Sequence, residues 1–220
     1  MPQPHRVHKV FVICYGCRMD PITFILFGLI VPFLFGSVPF GLLITASAGL
    51  GDIRAIGSGN VGATNVLRTG KKELALATLL ADAGKGALAV IIARELGGDS
   101  AMPWVAGVAA ILGHMFSPWL KFKGGKGVAT SAGVLLALAW PVGLCVILVW
   151  LGVAWKFRYS SLAALSAAGS SPILAVIFAD GRTALACVLI AGLIALRHRE
   201  NIQRLRTGKE GKINLGKKTA

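Results

Sequence analysis

Long uninterrupted apolar runs set the first constraint on this chain: from 22 to 49, ITFILFGLIVPFLFGSVPFGLLITASAG carries no charged residue. A bilayer-spanning helix needs about 20 mostly apolar residues. Further runs approaching that length occur at 73–95, 101–120, 127–141, 142–157, 161–178 and 183–197. They are continuous rather than alternating, which gives no support for a β-barrel. Of the 220 residues, 55% are hydrophobic and only 15% charged, too few charges to solvate the surface of a soluble domain. The expected fold is an all-α polytopic membrane protein with seven transmembrane helices. One integral-membrane domain covers 21–213, after an N-terminal extension at 1–20 and before a basic tail at 214–220. Pro32 and Pro39 are expected to kink the first span. The boundary between the fourth and fifth is drawn near Trp140-Pro141. Small residues, as in SLAALSAAGSSP, let helix backbones approach closely.

Orientation follows from Lys and Arg counted loop by loop. Arg54, Arg68, Lys71 and Lys72 follow the first span, Lys121, Lys123 and Lys126 the third, and Lys156 and Arg158 the fifth, with many more in the tail. The alternate loops are nearly bare. Odd loops and the C-terminus are therefore expected in the cytoplasm and the N-terminus outside, although Arg6, Lys9 and Arg18 argue the other way. Those three would be absent if translation began at Met19, which stands just before DPITFILFG and reads as an alternative start. The net charge of +14 raises nucleic acid as a partner. The basic clusters lack the interleaved aromatic residues of a base-stacking surface, so membrane lipid and phosphate are expected instead. Cys14 and Cys17 form a lone C-x-x-C, and Cys145 and Cys187 lie inside apolar spans as small hydrophobes. No Cys/His group has metal spacing, and neither a metal nor a cofactor is expected.

The unusual polar segments, GSGNVGATNVLR, KFKGGKGVAT, YSSLAAL and RHRENIQRL, all fall on the predicted cytoplasmic side. In the first, Gly57, Gly59 and Gly62 allow backbone N–H groups to converge on an anion, while Ser58, Asn60, Thr64 and Asn65 add neutral donors and Arg68 a forked cation. In the second, Lys123 and Lys126 surround Gly124, Gly125 and Gly127. A nucleotide P-loop is excluded, since Gly127 stands where Ser or Thr is needed. That leaves a phosphate cradle or a basic membrane-facing turn. In the last, the 3.6-residue period puts His198, Asn201 and Leu205 on one helical face. His198 reads as a general base, as a hydrogen-bond donor to an oxyanion, or as an interfacial residue. His114 has the same bland reading. Asp82 and Lys85 suit a mutual ion pair near the cytoplasmic end of the second span. No nucleophile elbow is present. Phosphate binders without a nucleophile point to direct transfer between two bound substrates; an organic-phosphate transporter and a non-catalytic scaffold are the competing classes.

Together, GSxPFG, DIRxxGSGNxGATNxxRxGK, DxxKG, GHxFxxxxxFKGGKGVAT, SSLxA and RHxxNIxRLxxGxE resemble, in order, the bacterial PlsY-type acyl-phosphate:glycerol-3-phosphate acyltransferases. The resemblance implies a seven-span inner-membrane enzyme with its active site facing the cytoplasm. It implies acyl transfer from acyl phosphate to the 1-hydroxyl of glycerol 3-phosphate, giving lysophosphatidic acid and phosphate. The functional residues it implies are Ser58, Asn60, Thr64 and Arg68, Lys126 with its glycines, and Ser161, His198 and Asn201, with Ser160 as a register alternative to Ser161.

Overall fold

The structure, a computed structural model, describes residues 20–97 and 100–213. Cys14, Cys17, Met19, the three basic residues before the first span and the tail 214–220 lie outside the described residues. Every regular element among the described residues is helical. The first span comprises α1 (Pro21–Ile25), a π-turn (Leu26–Ile30), α2 (Val31–Gly36) and α3 (Phe40–Ser47). A short α4 (Ala63–Leu67) precedes α5 (Lys72–Gly97), α6 (Met102–Met115), α7 (Val128–Leu138), α8 (Trp140–Phe157), α9 (Ser160–Phe178), α10 (Gly181–Arg197) and α11 (Arg199–Arg206).

All seven expected apolar segments are helical, but their lengths differ. Pro21–Ser47, Lys72–Gly97, Trp140–Phe157 and Ser160–Phe178 are long and apolar enough to cross a membrane. A fifth crossing arises if α10 and α11, bent by 65°, are taken as one span. At ~1.5 Å per residue, α6 extends about 21 Å over 14 residues and α7 about 16 Å over 11. Proline explains the irregularities of the first span. Pro32 has no N–H for the preceding turn, and a π-turn lies immediately before its helix. The helix then opens at 37–39, just ahead of Pro39, the N-cap of α3. The fourth and fifth spans separate at Ala139, one residue before the expected boundary, because Pro141 occupies the first turn of α8.

An inside-out distribution is clearest on α9, whose buried face is rich in alanine, while many large apolar side chains lie on the exterior of the bundle. Ala163, Ala164, Ala167, Ala168 and Ala175 of α9 are buried, whereas Leu79, Leu80, Leu148, Ile173 and Val176 are exposed. That inversion suits a bundle surrounded by lipid, where close backbone approach replaces hydrophobic burial as the adhesive. Gly133 is an instance: a Cβ there would lie 2.9 Å from the Ala83 Cα, against the backbone of α5. Gly133→Val is therefore expected to force α5 and α7 apart and cost about 3 kcal/mol, read as a drop in melting temperature in detergent. An unchanged melting temperature would show that the contact is dispensable.

Candidate active site

The four polar segments meet at one end of the bundle. Val61 and Val66 of the first pack with nearby Ile53 and with Leu120, the residue just before the second, in a small apolar cluster, and the Thr64 hydroxyl lies 3.1 Å from that of Ser160. The other end is closed by separate contacts, where Arg94 donates to the Ala137 carbonyl at 2.6 Å and the Trp104 indole to Thr183 at 3.0 Å.

Asn65 organises the first segment. Its amide donates to the Ile53 and Ile56 carbonyls at 2.9 and 3.0 Å, while its Oδ1 accepts from the Ser58 N–H at 3.0 Å. This corrects its expected role as a substrate donor, because both ends of its side chain are spent on the loop. The resulting turn needs left-handed backbone at Gly57 (φ 59°) and Gly59 (φ 68°). Arg68 lies against Gly57, where an added Cβ would meet the Arg68 Cδ at 2.8 Å. Gly62 is the extended N-cap of α4, which carries Thr64.

The glycine loop of the second segment also differs from expectation. The N–H groups of Gly124 and Gly125 donate to the Met115 and His114 carbonyls at 3.1 and 3.0 Å. They are not available to an anion. Their own carbonyls accept from Arg197, at 2.8 Å for Gly124 and 3.3 Å for Gly125. The loop thus presents its side chains, Lys123 and Lys126, rather than those amides. Gly127, left-handed at φ 78°, turns the chain into α7.

Lys126 joins this loop to the C-terminal segment by donating to the Asn201 Oδ1 at 2.5 Å. The Asn201 amide donates to Glu210 Oε1 at 2.6 Å, as does the Ser161 hydroxyl at 2.6 Å. Arg204 donates to the other Glu210 oxygen at 2.7 Å. Ser160 and Ser161 are therefore both engaged, with different partners. Burial first, then the charge of Arg204, lowers the Lys126 pKa to about 8 against the opposing pull of Glu210 and Glu200. His198 is buried at the corner just beyond α10, so it and Asn201 do not share one continuous helix face as the periodicity suggested. Its Nδ1 lies 2.8 Å from the Ile194 carbonyl, which can only accept, leaving Nε2 as the bare nitrogen. Burial lowers its pKa to about 4, with the Ile194 bond opposing and the Lys126 charge reinforcing the shift.

A cavity of about 310 Å³ opens between these segments. Six predicted residues line it: Ser58, Gly59, Asn60, Lys123, Gly124 and Lys126. Gly57, Gly62, Thr64, Arg68, Gly125, Gly127, Ser161, His198 and Asn201 stand outside the lining, several of them one contact behind it. Phe116, Leu196, Arg197, Arg199 and Glu200 complete the walls and were not anticipated. Neither were the roles of Arg204 and Glu210, although Glu210 closes the last of the quoted motifs. A shallower hollow of about 570 Å³ at the other end, beside Trp104 and Asp180, contains none of the predicted residues. Among the described residues no group of three or more His, Cys, Asp or Glu side chains is arranged to hold a metal ion.

This arrangement, two cationic clusters joined by neutral donors around an open cavity, suits two anionic groups held together. A family model described as glycerol-3-phosphate acyltransferase matches residues 26–208. A relative of that name from Bradyrhizobium sp. (strain BTAi1) is 55% identical over 201 residues, covering 90% of this chain and all of the relative. Another, from Paramagnetospirillum magneticum, is 59% identical over 187 residues, covering 85% of this chain and 92% of the relative. The crystal structure of PlsY (YgiH), an integral membrane glycerol 3-phosphate acyltransferase, in its glycerol 3-phosphate form superimposes with a TM-score of 0.80 at 41% identity. That match covers 86% of this chain and 95% of the other. The lysophosphatidic acid form gives a TM-score of 0.78 at 40% identity, covering 85% and 94%. The length and depth of these matches make the chain a member of the glycerol-3-phosphate acyltransferase family.

Proposed function

We propose that this enzyme transfers a fatty acyl group from acyl phosphate to the 1-hydroxyl of glycerol 3-phosphate, releasing lysophosphatidic acid and inorganic phosphate. The observation that carries the reading is the Lys126–Asn201–Glu210–Ser161 network, which ties three distant segments to one cavity beside the first. Two dianionic phosphates about 6 Å apart repel by about 10 kcal/mol at an effective dielectric constant of 20. The cations at this end offset that repulsion. The acyl phosphate carbonyl is already activated, so proximity and charge stabilisation are what the protein must add. The alcohol oxygen attacks the carbonyl carbon, the bond from that carbon to the phosphate oxygen breaks, and phosphate leaves. Lys126 and Lys123 hold the leaving phosphate. Arg68 holds glycerol 3-phosphate against the turn of Gly57, Ser58, Gly59 and Asn60, Asn201 orients Lys126 through its carboxamide oxygen, and the hydroxyl proton passes to the bare Nε2 of His198 or to a phosphate oxygen.

The same reading takes 21–213 as one integral-membrane domain of seven apolar segments in the bacterial inner membrane. The site end faces the cytoplasm, in keeping with the Lys and Arg bias of the odd loops. Its test is direct: protein purified in detergent and given acyl phosphate and glycerol 3-phosphate should release phosphate and form lysophosphatidic acid. Absence of both products in active-site-intact protein overturns it, and a requirement for sealed vesicles would indicate transport instead.

The proton step has its own signature. His198 must be neutral to accept a proton, and with a pKa of about 4 it is neutral throughout the physiological range. The acidic limb of kcat/KM is therefore expected near pH 4, and His198→Gln should remove it. A limb near pH 6.5, or normal turnover by His198→Gln at saturating substrate, would exclude His198 as the base.

A further inference from the structure

A buried ionic cluster lies beneath the glycine loop, near the middle of α5 rather than at its expected cytoplasmic end. Lys85 and Asp82 are paired at 2.8 Å, with side chains 1% and 2% exposed. The Nδ1 of His114, also buried, approaches the same Asp82 oxygen at 3.5 Å. The Lys85 ammonium donates to the Val38 carbonyl at 2.8 Å, at the break in the first span, and lies 5.6 Å from the Phe40 ring. Charges inside a membrane bundle are costly even when paired. Replacing such a pair by apolar side chains of similar volume is often neutral or stabilising, so stability alone does not account for it.

The cluster reaches the loop through His114. The His114 carbonyl accepts from the Gly125 N–H at 3.0 Å. Its imidazole fills the space a side chain at Gly125 would need, since an added Cβ would lie 2.8 Å from its Cε1 and 3.0 Å from its Cδ2. Arg197 holds the carbonyls of the same two glycines. Gly125 is thus clamped between the His114 ring and Arg197, and the next residue is Lys126.

We infer that Asp82, Lys85 and His114 are positioning residues for acyl transfer: without touching substrate, they fix the glycine loop and so aim Lys126 into the cavity. This rests on the acyl-transfer reading above. Its mechanism is geometric. Asp82 restrains the His114 ring, the ring sets the height of Gly125, and Lys85 ties the assembly to the break at Val38.

The full-length protein in detergent tests it with a swap of space across the contact. Gly125→Ala is expected to lower kcat/KM about 100-fold, because its methyl group meets the His114 ring, and His114→Ala about tenfold. In the double variant the methyl enters the vacated space, so Gly125→Ala should cost less than about threefold in the His114→Ala background. Fully additive losses overturn the inference. A second arm replaces the ion pair by apolar residues, Asp82→Leu with Lys85→Met. A folded, monodisperse double variant with kcat/KM lowered tenfold or more supports positioning, and one with wild-type kinetics overturns it. Should that variant fail to fold, the swap decides alone. If the wild-type protein itself transfers no acyl group, the functional reading fails first. The inference is then judged on amide exchange at Gly124 and Gly125, which should be faster in His114→Ala; unchanged exchange overturns it.

Discussion

Lys126→Ala is expected to lower kcat/KM for acyl transfer about a thousandfold while moving the melting temperature by only a few degrees. The ammonium is half-buried at the cavity wall, beside the carboxamide of Asn201 at 2.5 Å. Removing one preorganised donor to developing charge typically costs 10²–10³ in rate, and here a substrate-neutralising cation is lost as well. The pH dependence carries the sign. A lysine is cationic below its pKa, so with a value of about 8 the Lys126 charge is present at neutral pH and lost as pH rises through about 8. The kcat/KM profile should fall on that limb. Lys126→Arg keeps the charge and should move the limb upward while recovering only part of the activity, because a planar guanidinium does not reproduce a point cation. A basic limb unaffected by Lys126→Arg would assign it to another group.

Glu210→Ala should have the second large effect, this time on both stability and activity. Its carboxylate, 8% exposed, accepts from Ser161, Asn201 and Arg204 at once. The strand of chain that carries it is held further along, where the Ile213 N–H donates to the Arg158 carbonyl at 2.7 Å. Truncation leaves three donors without their acceptor, a loss of about 2–3 kcal/mol, or roughly 5–10 °C in a chain of this size. Activity should fall at least tenfold, because the Asn201 amide loses the partner that turns its oxygen toward Lys126. Glu210→Gln should be intermediate, since it keeps an acceptor for Ser161 and Asn201 but presents an amide to Arg204. Burial alone would raise the Glu210 pKa, but the bonds from Ser161, Arg204 and Asn201 outweigh it and hold the value below the ordinary 4.5. The contribution is therefore complete at neutral pH and lost as pH falls through that depressed value. Glu210→Ala with wild-type melting and kinetics would remove this residue from the account.

The division between sequence and structure is sharp at particular residues. Helix identity was legible because the preference of apolar segments for lipid and the internal pairing of their backbone are local properties. The convergence of the polar segments was legible too, since a chain that reverses at each helix brings alternate loops to one end. The number of full crossings was less so: α6 and α7 have only 14 and 11 residues, and the loop between them folds back on the end of α6 through the Gly124 and Gly125 N–H groups.

What the sequence determined by itself was the helical membrane fold, the family, and the end of the bundle that carries the polar groups. Only the tertiary structure decided which of those groups are free to act. It turned Asn65 inward, occupied the Gly124 and Gly125 amides, separated the tasks of Ser160 and Ser161, and brought Glu210 and Arg197 into the site. The physical reason is that a donor is free or spent according to partners far away in the chain. Lys126 and Asn201 are 75 positions apart and Thr64 and Ser160 96 apart, and no local pattern of residues specifies which of them will meet.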